Sequence, residues 1–227
     1  CSVILSSGMA NLSEIEQALS VLAFGLSTTE QSPSIDAFRQ AYISDLGQNK
    51  LQQKISLLHC TSDYPARYEN VNLAVLQTLK QAFRLPIGLS DHTQGIAVPI
   101  AATALGANII EKHFTLDNNL PGPDHKASLQ PEELKAMVTA IRQVERAIGI
   151  SAKFPSCAEQ KNKQVVCKSL VASKKIQKGE AFTKENLTTK RAGKGIEPIN
   201  YWEFLGKEAT QDYQADDVIQ PLHRGAA

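Results

Sequence analysis

At 227 residues the chain has room for one large domain or two small ones, and 42% hydrophobic with 21% charged residues is the balance of a soluble globular protein. A net charge of +1 supplies no field that would recruit nucleic acid or an anionic membrane. Four cysteines without a Cys-x-x-Cys pair argue against a zinc knot or a disulfide scaffold, and no membrane-length apolar run or signal-peptide pattern is found, so a cytoplasmic protein is expected.

The chain enters a strand-like run at once, from Ser2 to Ser6. Domains seldom open inside a core strand, so a preceding segment is expected. Gly8 and a helix from about Asn11 follow, with Glu14 three residues later at capping-box spacing. The polar segment 25–54 reads as a loop plus a helix. Ile55 to Cys60 is the next strand, then a helix carrying Val71, Leu73, Val75, Leu76 and Leu79. Pro86 to Ser90 is a short strand, Val98 to Leu105 a helix of small residues, and Asn108 to Phe114 a fourth strand. Pro131 opens a helix, with Glu132 and Glu133 where the helix dipole favours anions and Leu134, Met137, Val138, Ile141 and Val144 at helical spacing.

Repeated βα units imply an α/β fold with a parallel sheet. Four units are too few to close an eight-stranded barrel, leaving a small open sheet or half a barrel over residues 1–150. The opening inside a strand favours the half barrel. Residues 151–164 are polar and read as a linker. Beyond them, strand-like pieces at Val165-Val166-Cys167 and Ser169 to Ala172, broken by Lys178-Gly179 and Ala192-Gly193-Lys194-Gly195, read as a compact, mostly β domain over 165–227.

In βα folds of this kind function sits where strands end. Those ends read Ser6-Ser7-Gly8, Cys60-Thr61-Ser62-Asp63-Tyr64-Pro65, Ser90-Asp91-His92-Thr93 and Glu111-Lys112-His113-Phe114, and the loop beyond carries Asp124-His125-Lys126. His92 and His113 end successive strands and are therefore neighbours. They are either the imidazoles of a divalent-metal site with open positions, or unrelated polar residues at loop starts. Ser6, Ser7 and Gly8 suit a phosphate at a helix start or are simply a turn; Ser90 is similar. Asp124 fixes a sugar hydroxyl or shapes its turn. Asp91 either supports His92 beside it or caps the next helix, with the cap preferred; His59 is read as a satisfied core histidine, and His125 as facing the site or, by preference, solvent-exposed.

Longer strings then become specific. Ile4-Leu5-Ser6-Ser7-Gly8-Met9, Leu57-Leu58-His59-Cys60-Thr61, Tyr64-Pro65, Ser90-Asp91-His92-Thr93, Ile110-Glu111-Lys112-His113-Phe114-Thr115-Leu116 and Gly122-Pro123-Asp124-His125-Lys126-Ala127-Ser128 resemble the sialic acid synthase family. Lys190-Arg191-Ala192-Gly193-Lys194-Gly195 resembles the signature of its C-terminal antifreeze-like domain.

The resemblance implies the C-terminal half of a (β/α)8 TIM barrel followed by an antifreeze-like (SAF) domain. It implies condensation of phosphoenolpyruvate with N-acetylmannosamine, releasing phosphate, or with the diacetamido precursor of legionaminic or pseudaminic acid. His92 and His113 then hold Mn²⁺ or Mg²⁺, Ser90 with Ser6 or Ser7 serves the phosphate, Tyr64 and Asp124 contact the amino sugar, and Glu111 is a pocket carboxylate. Arg191 reaches the N-acetyl group from the partner of a domain-swapped homodimer. Ser62 stands where some members place Asn, which weakens or replaces a phosphate contact, and Ala192 where many have Pro. The family's phosphate-binding lysine lies on strands upstream of Cys1, so this chain by itself is expected to be inactive. Two other classes compete: a metal-dependent hydrolase, which needs a denser ligand set, and a non-catalytic carbohydrate-binding fragment.

Overall fold

A computed structural model describes residues 1–27 and 31–221; the parts of the expected loop at 28–30 and of the expected β domain at 222–227 lie outside the described residues. The chain divides into two compact units, Cys1–Ile150 and Ser151–Ala227. The first alternates strands and helices: β1 (Val3–Ser6), α1 (Leu12–Ser27), α2 (Ile35–Ile43), α3 (Asp45–Lys54), β2 (Ile55–Cys60), α4 (Tyr68–Val71), α5 (Val75–Phe83), β3 (Ile87–Asp91), α6 (Ala97–Ala104), β4 (Ile110–Lys112) and α7 (Pro131–Ile148). All neighbouring strands pair in parallel, in the order β1-β2-β3-β4, giving the half barrel that the sequence implies.

Alternation along the strands sorts the side chains into two faces. Leu57, Ile87 and Leu89 pack with Ile15, Leu19, Leu76 and Leu79 of the helices in one core, joined by Val3, Leu5 and Ile110. Ser6, Leu58, Cys60, Gly88, Ser90 and Glu111 occupy the other face, row by row in register. At Gly88 the strands come very close: an added methyl carbon would lie 2.5 Å from the Ile109 carbonyl oxygen.

Several helix starts follow from side-chain caps. Asn11 Oδ1 accepts from Ser13 N and Glu14 N (2.9 and 3.1 Å), while Glu14 accepts from Asn11 N at 2.8 Å. Segment 25–54 forms two further helices, α2 and α3, capped by Ser34 and Ser44, rather than a loop plus one helix. Only Gly47 and Leu51 of α3 are buried, so its polar composition hid it. The single helix expected through Val71–Leu79 is broken at Asn72, which takes the left-handed conformation at φ 49°. The fourth strand is three residues long, with one further bridge from Phe114 to Leu129.

In the second unit, the stretch expected to be a linker carries a helix, α8 (Cys157–Val166), started by a reciprocal Ser156–Glu159 capping box. Val165 and Val166 therefore end a helix and do not form a strand. An antiparallel pair follows, β5 (Lys168–Ala172) and β6 (Leu187–Arg191), then a short helix α9 (Tyr201–Phe204). Leu170, Ile176, Phe182, Phe204, Tyr213 and Ile219 form its core. Isolated bridges at Val171–Val218, Ile176–Tyr213 and Ala181–Glu208 complete a unit held more by bends and bridges than by long strands. Among the described residues no helix is long and apolar enough to cross a membrane.

Candidate active site

The candidate site gathers at the C-terminal ends of β2, β3 and β4. His92 and His113 each lie one residue beyond their strand, on the same side as Ser90 and Glu111. Their ring centroids lie 5.2 Å apart, with the planes tilted by 59°. Together with Ser90, Glu111 and Lys112 they line a cavity of about 230 Å³. The Ser90 hydroxyl donates to Glu111 Oε1 at 2.6 Å, which fixes both side chains.

Tyr64 closes one side. Its ring centroid lies 4.2 Å from that of His92 and 5.7 Å from that of His113. Asp124 reaches the far side, with Oδ2 3.9 Å from His113 Nδ1, an ion-pair distance rather than a hydrogen bond. Ser62 stands at the rim of the second loop, 3.9 Å from Cys60 Sγ, and a methyl carbon on Gly8 would lie 2.5 Å from its Oγ. The first and second loops therefore meet there. Of the serine pair, Ser6 shares the face of Ser90 and is exposed, whereas Ser7 is buried and lines a separate cavity of about 570 Å³ with His59, Thr78 and Leu79.

The donor set can be tested against a metal. His92 Nδ1 lies 2.9 Å from the Thr61 carbonyl oxygen, which only accepts, so Nδ1 carries the proton and Nε2 keeps its lone pair. That is the partner arrangement by which proteins orient an imidazole ligand. Among the described residues no group of three or more His, Cys, Asp or Glu side chains converges as a metal cage. His92, so oriented, with the His113 imidazole beside it fits an ion that leaves positions open for substrate and water, not a closed structural site. The denser set that a hydrolase would need is absent among the described residues.

Three neighbours differ from expectation. Asp91 does not cap α6, whose N-cap is Ile96. It is buried, accepts from Thr93 N at 3.0 Å and pairs with Lys112 Nζ at 2.6 Å. A lysine beside a histidine at a strand end reads as solvated, yet the Lys112 side chain is buried. His125 is half-buried against Thr115 Oγ1 at 2.7 Å instead of solvent-exposed. His59 is the core histidine expected, its Nε2 2.6 Å from the Val71 carbonyl oxygen. Arg191 ends β6 in the second unit and is exposed.

The NeuB family model matches residues 1–153. The chain belongs to the NeuB family. The SAF domain model matches residues 168–223, so the half barrel and the antifreeze-like domain implied by the sequence strings are both present. Among its relatives the chain is similar to the N,N'-diacetyllegionaminic acid synthase of Campylobacter jejuni, with 51% identity over 96% of this chain and 58% of that protein. It is also similar to the human N-acetylneuraminate-9-phosphate synthase, with 39% identity over 82% and 52%. A solved N-acetylneuraminic acid synthetase of Leptospira borgpetersenii matches with 33% identity and a TM-score of 0.51, over 70% of this chain and 55% of that one. The chain thus spans between half and three-fifths of the length of these curated relatives.

Proposed function

We propose that the protein is a sugar-acid synthase that condenses phosphoenolpyruvate with an N-acylated amino sugar and releases phosphate, and that its acceptor carries two acetamido groups. The carrying observation is the neighbouring pair His92 and His113, 5.2 Å apart between ring centroids, beside Ser90 and Glu111. The 51% identity to a relative named N,N'-diacetyllegionaminic acid synthase supports the diacetamido acceptor over N-acetylmannosamine.

Mn²⁺ or Mg²⁺ held by His92 and His113 would supply Lewis-acid chemistry at the carbonyl oxygen of the open-chain sugar. C3 of phosphoenolpyruvate bonds to the aldehyde carbon, water adds at C2, and the bond from C2 to the phosphate oxygen breaks. No enzyme nucleophile is required, so the chain's side chains bind, orient and screen. Tyr64, tilted against His92 and edge-on to His113, flanks the imidazoles on that side and offers its ring to the sugar. Asp124, an acceptor when ionised, takes hydrogen bonds from sugar hydroxyls. Ser90, Ser62 and Ser6 line the route to the phosphate, and strand alternation favours Ser6 over Ser7. Glu111 holds the Ser90 hydroxyl in one rotamer. Arg191 of the partner subunit contacts the acyl oxygen in a domain-swapped dimer.

Phosphate release by the full-length protein tests the reading, with N-acetylmannosamine and a 2,4-diacetamido sugar compared as acceptors. Release should require phosphoenolpyruvate, acceptor and Mn²⁺ together and be faster with the diacetamido sugar. His92→Ala or His113→Ala should abolish it with the fold intact. Wild-type turnover by either variant, after chelation and return of Mn²⁺, would show the metal assignment to be wrong.

A further inference from the structure

The ladder between β3 and β4 ends at the pair Asp91–Lys112, and β4 itself stops at Lys112. Both imidazoles stand one residue further on, where the two strands no longer share backbone hydrogen bonds in the ladder. Something else must hold them side by side. Lys112 Nζ donates to Asp91 Oδ2 and to the Thr93 carbonyl oxygen, each at 2.6 Å. Asp91 in turn accepts from Thr93 N at 3.0 Å and Thr93 Oγ1 at 3.2 Å. One lysine, immediately before His113, therefore straps the residues on both sides of His92. The side chains of Lys112 and Asp91 are 2% and 1% exposed, so the strap is dry.

A buried ion pair is poor evidence for stability, since desolvation offsets most of its attraction; its best-attested use is to fix register. We infer that Asp91 and Lys112 are positioning residues that lock the ends of β3 and β4 so that His92 and His113 present their free nitrogens to one ion. The inference rests on the metal reading above. It assigns a task to two residues whose charged groups are bonded to each other rather than offered to the ion. Lys112 borders the cavity, but its Nζ is turned to Asp91 and the Thr93 carbonyl oxygen, and strand alternation puts Asp91 on the side of Leu89.

The test is Mn²⁺ binding by full-length protein, read from the electron paramagnetic resonance signal of free Mn²⁺, with thermal melting alongside. Asp91→Leu with Lys112→Met removes both charges together, so no buried charge is left unpaired. This double variant should melt cooperatively yet bind Mn²⁺ about 10–100-fold more weakly, the scale seen when support of metal ligands is lost. Lys112→Arg, which keeps a donor to each acceptor, should recover most of the affinity. If the double variant fails to fold, Asp91→Asn is measured in its place and should also weaken binding. A folded double variant, or the Asp91→Asn protein standing in for it, that binds Mn²⁺ as tightly as the parent overturns the inference and leaves the metal reading standing. A parent that does not bind Mn²⁺, or whose affinity is unmoved in His92→Ala, overturns both.

Discussion

Gly88 is a position where the half barrel leaves no room for a side chain. Its φ lies outside the left-handed region, so an alanine there would meet no conformational penalty, and any cost is steric. The added methyl carbon would press into Leu58 Cδ2 and lie 2.5 Å from the Ile109 carbonyl oxygen and 2.9 Å from Ile109 Cβ. Leu58 is fully buried and has little room to turn aside. The Ile109 carbonyl cannot move freely either, because it accepts the hydrogen bond from Leu89 N at 2.9 Å. Overpacking costs typically about 1–3 kcal/mol, and weakening that bond adds about 1 kcal/mol. Gly88→Ala should therefore destabilise the first unit by about 2–4 kcal/mol, lowering its melting midpoint by on the order of 10 °C at about 2–4 °C per kcal/mol. Calorimetry or urea unfolding of the full-length protein reads this directly. Adding Leu58→Ala relieves the side-chain clash but not the carbonyl clash, so the double variant should stay below the parent. A Gly88→Ala protein within about 0.5 kcal/mol of the parent would refute the close approach of β3 to the Ile109 backbone.

Two further expectations concern the second unit. Full-length Arg191→Ala should bind the amino sugar more weakly by about 1.5–3 kcal/mol, the worth of a hydrogen bond to a charged group, with phosphoenolpyruvate affinity nearly unchanged. Mixing it with Asp124→Ala should restore some activity through dimers that rebuild one intact site; no recovery in verified mixed dimers would put Arg191 outside the partner's site. Glu159 and Glu180 are held below the ordinary glutamate value, chiefly by hydrogen bonds from the backbone N–H groups of Ser156 and Gln177. Their stabilisation is present above the ordinary glutamate value and is lost as pH falls through the depressed one. Acid titration followed by circular dichroism should show α8 fraying in that window, and Glu159→Gln should remove its share of the pH dependence.

What could be read from the sequence divides along physical lines. Strand β2 is legible because Ile55, Leu57 and Leu58 make a short, nearly continuous apolar run, and β3 because Pro86 and the polar end Ser90-Asp91 bracket Ile87 and Leu89. The caps at Asn11 and Pro131 were plain because capping depends on two or three local residues. Helices α3 and α8 were not, since their apolar faces are too thin to print a period; the serine caps at Ser44 and Ser156 were the available signal. Among site residues, His92, His113, Ser90, Glu111 and Tyr64 could be named from strand ends and family-like strings, and they do come together. Lys112 could not, and for Asp91 a role beside His92 is only the lesser alternative to a helix cap. Their meaning lies in a cross-strand register, Asp91 opposite Lys112, that no single segment states.

That register also decides which chemistry the sheet can present. Positions 90 and 92 of β3 and its extension look to the same side as 111 and 113 of β4, while 89 and 91 share the core side with 110 and 112. A slip of one residue in β4 would exchange every side chain between faces. The Lys112 ammonium would then leave Asp91 for the site, and Glu111 and His113 would enter the apolar core. Three residues of β4 make too short a ladder to forbid this by backbone hydrogen bonds alone. The close contact at Gly88, the apolar row of Leu89 and Ile110, and the dry strap from Lys112 to Asp91 and Thr93 each penalise the slipped pairing. They do so at successive positions along the same two strands. The paired imidazoles are the end of that sequence of constraints, which is why residues with no part in the chemistry should control how tightly the site holds its ion.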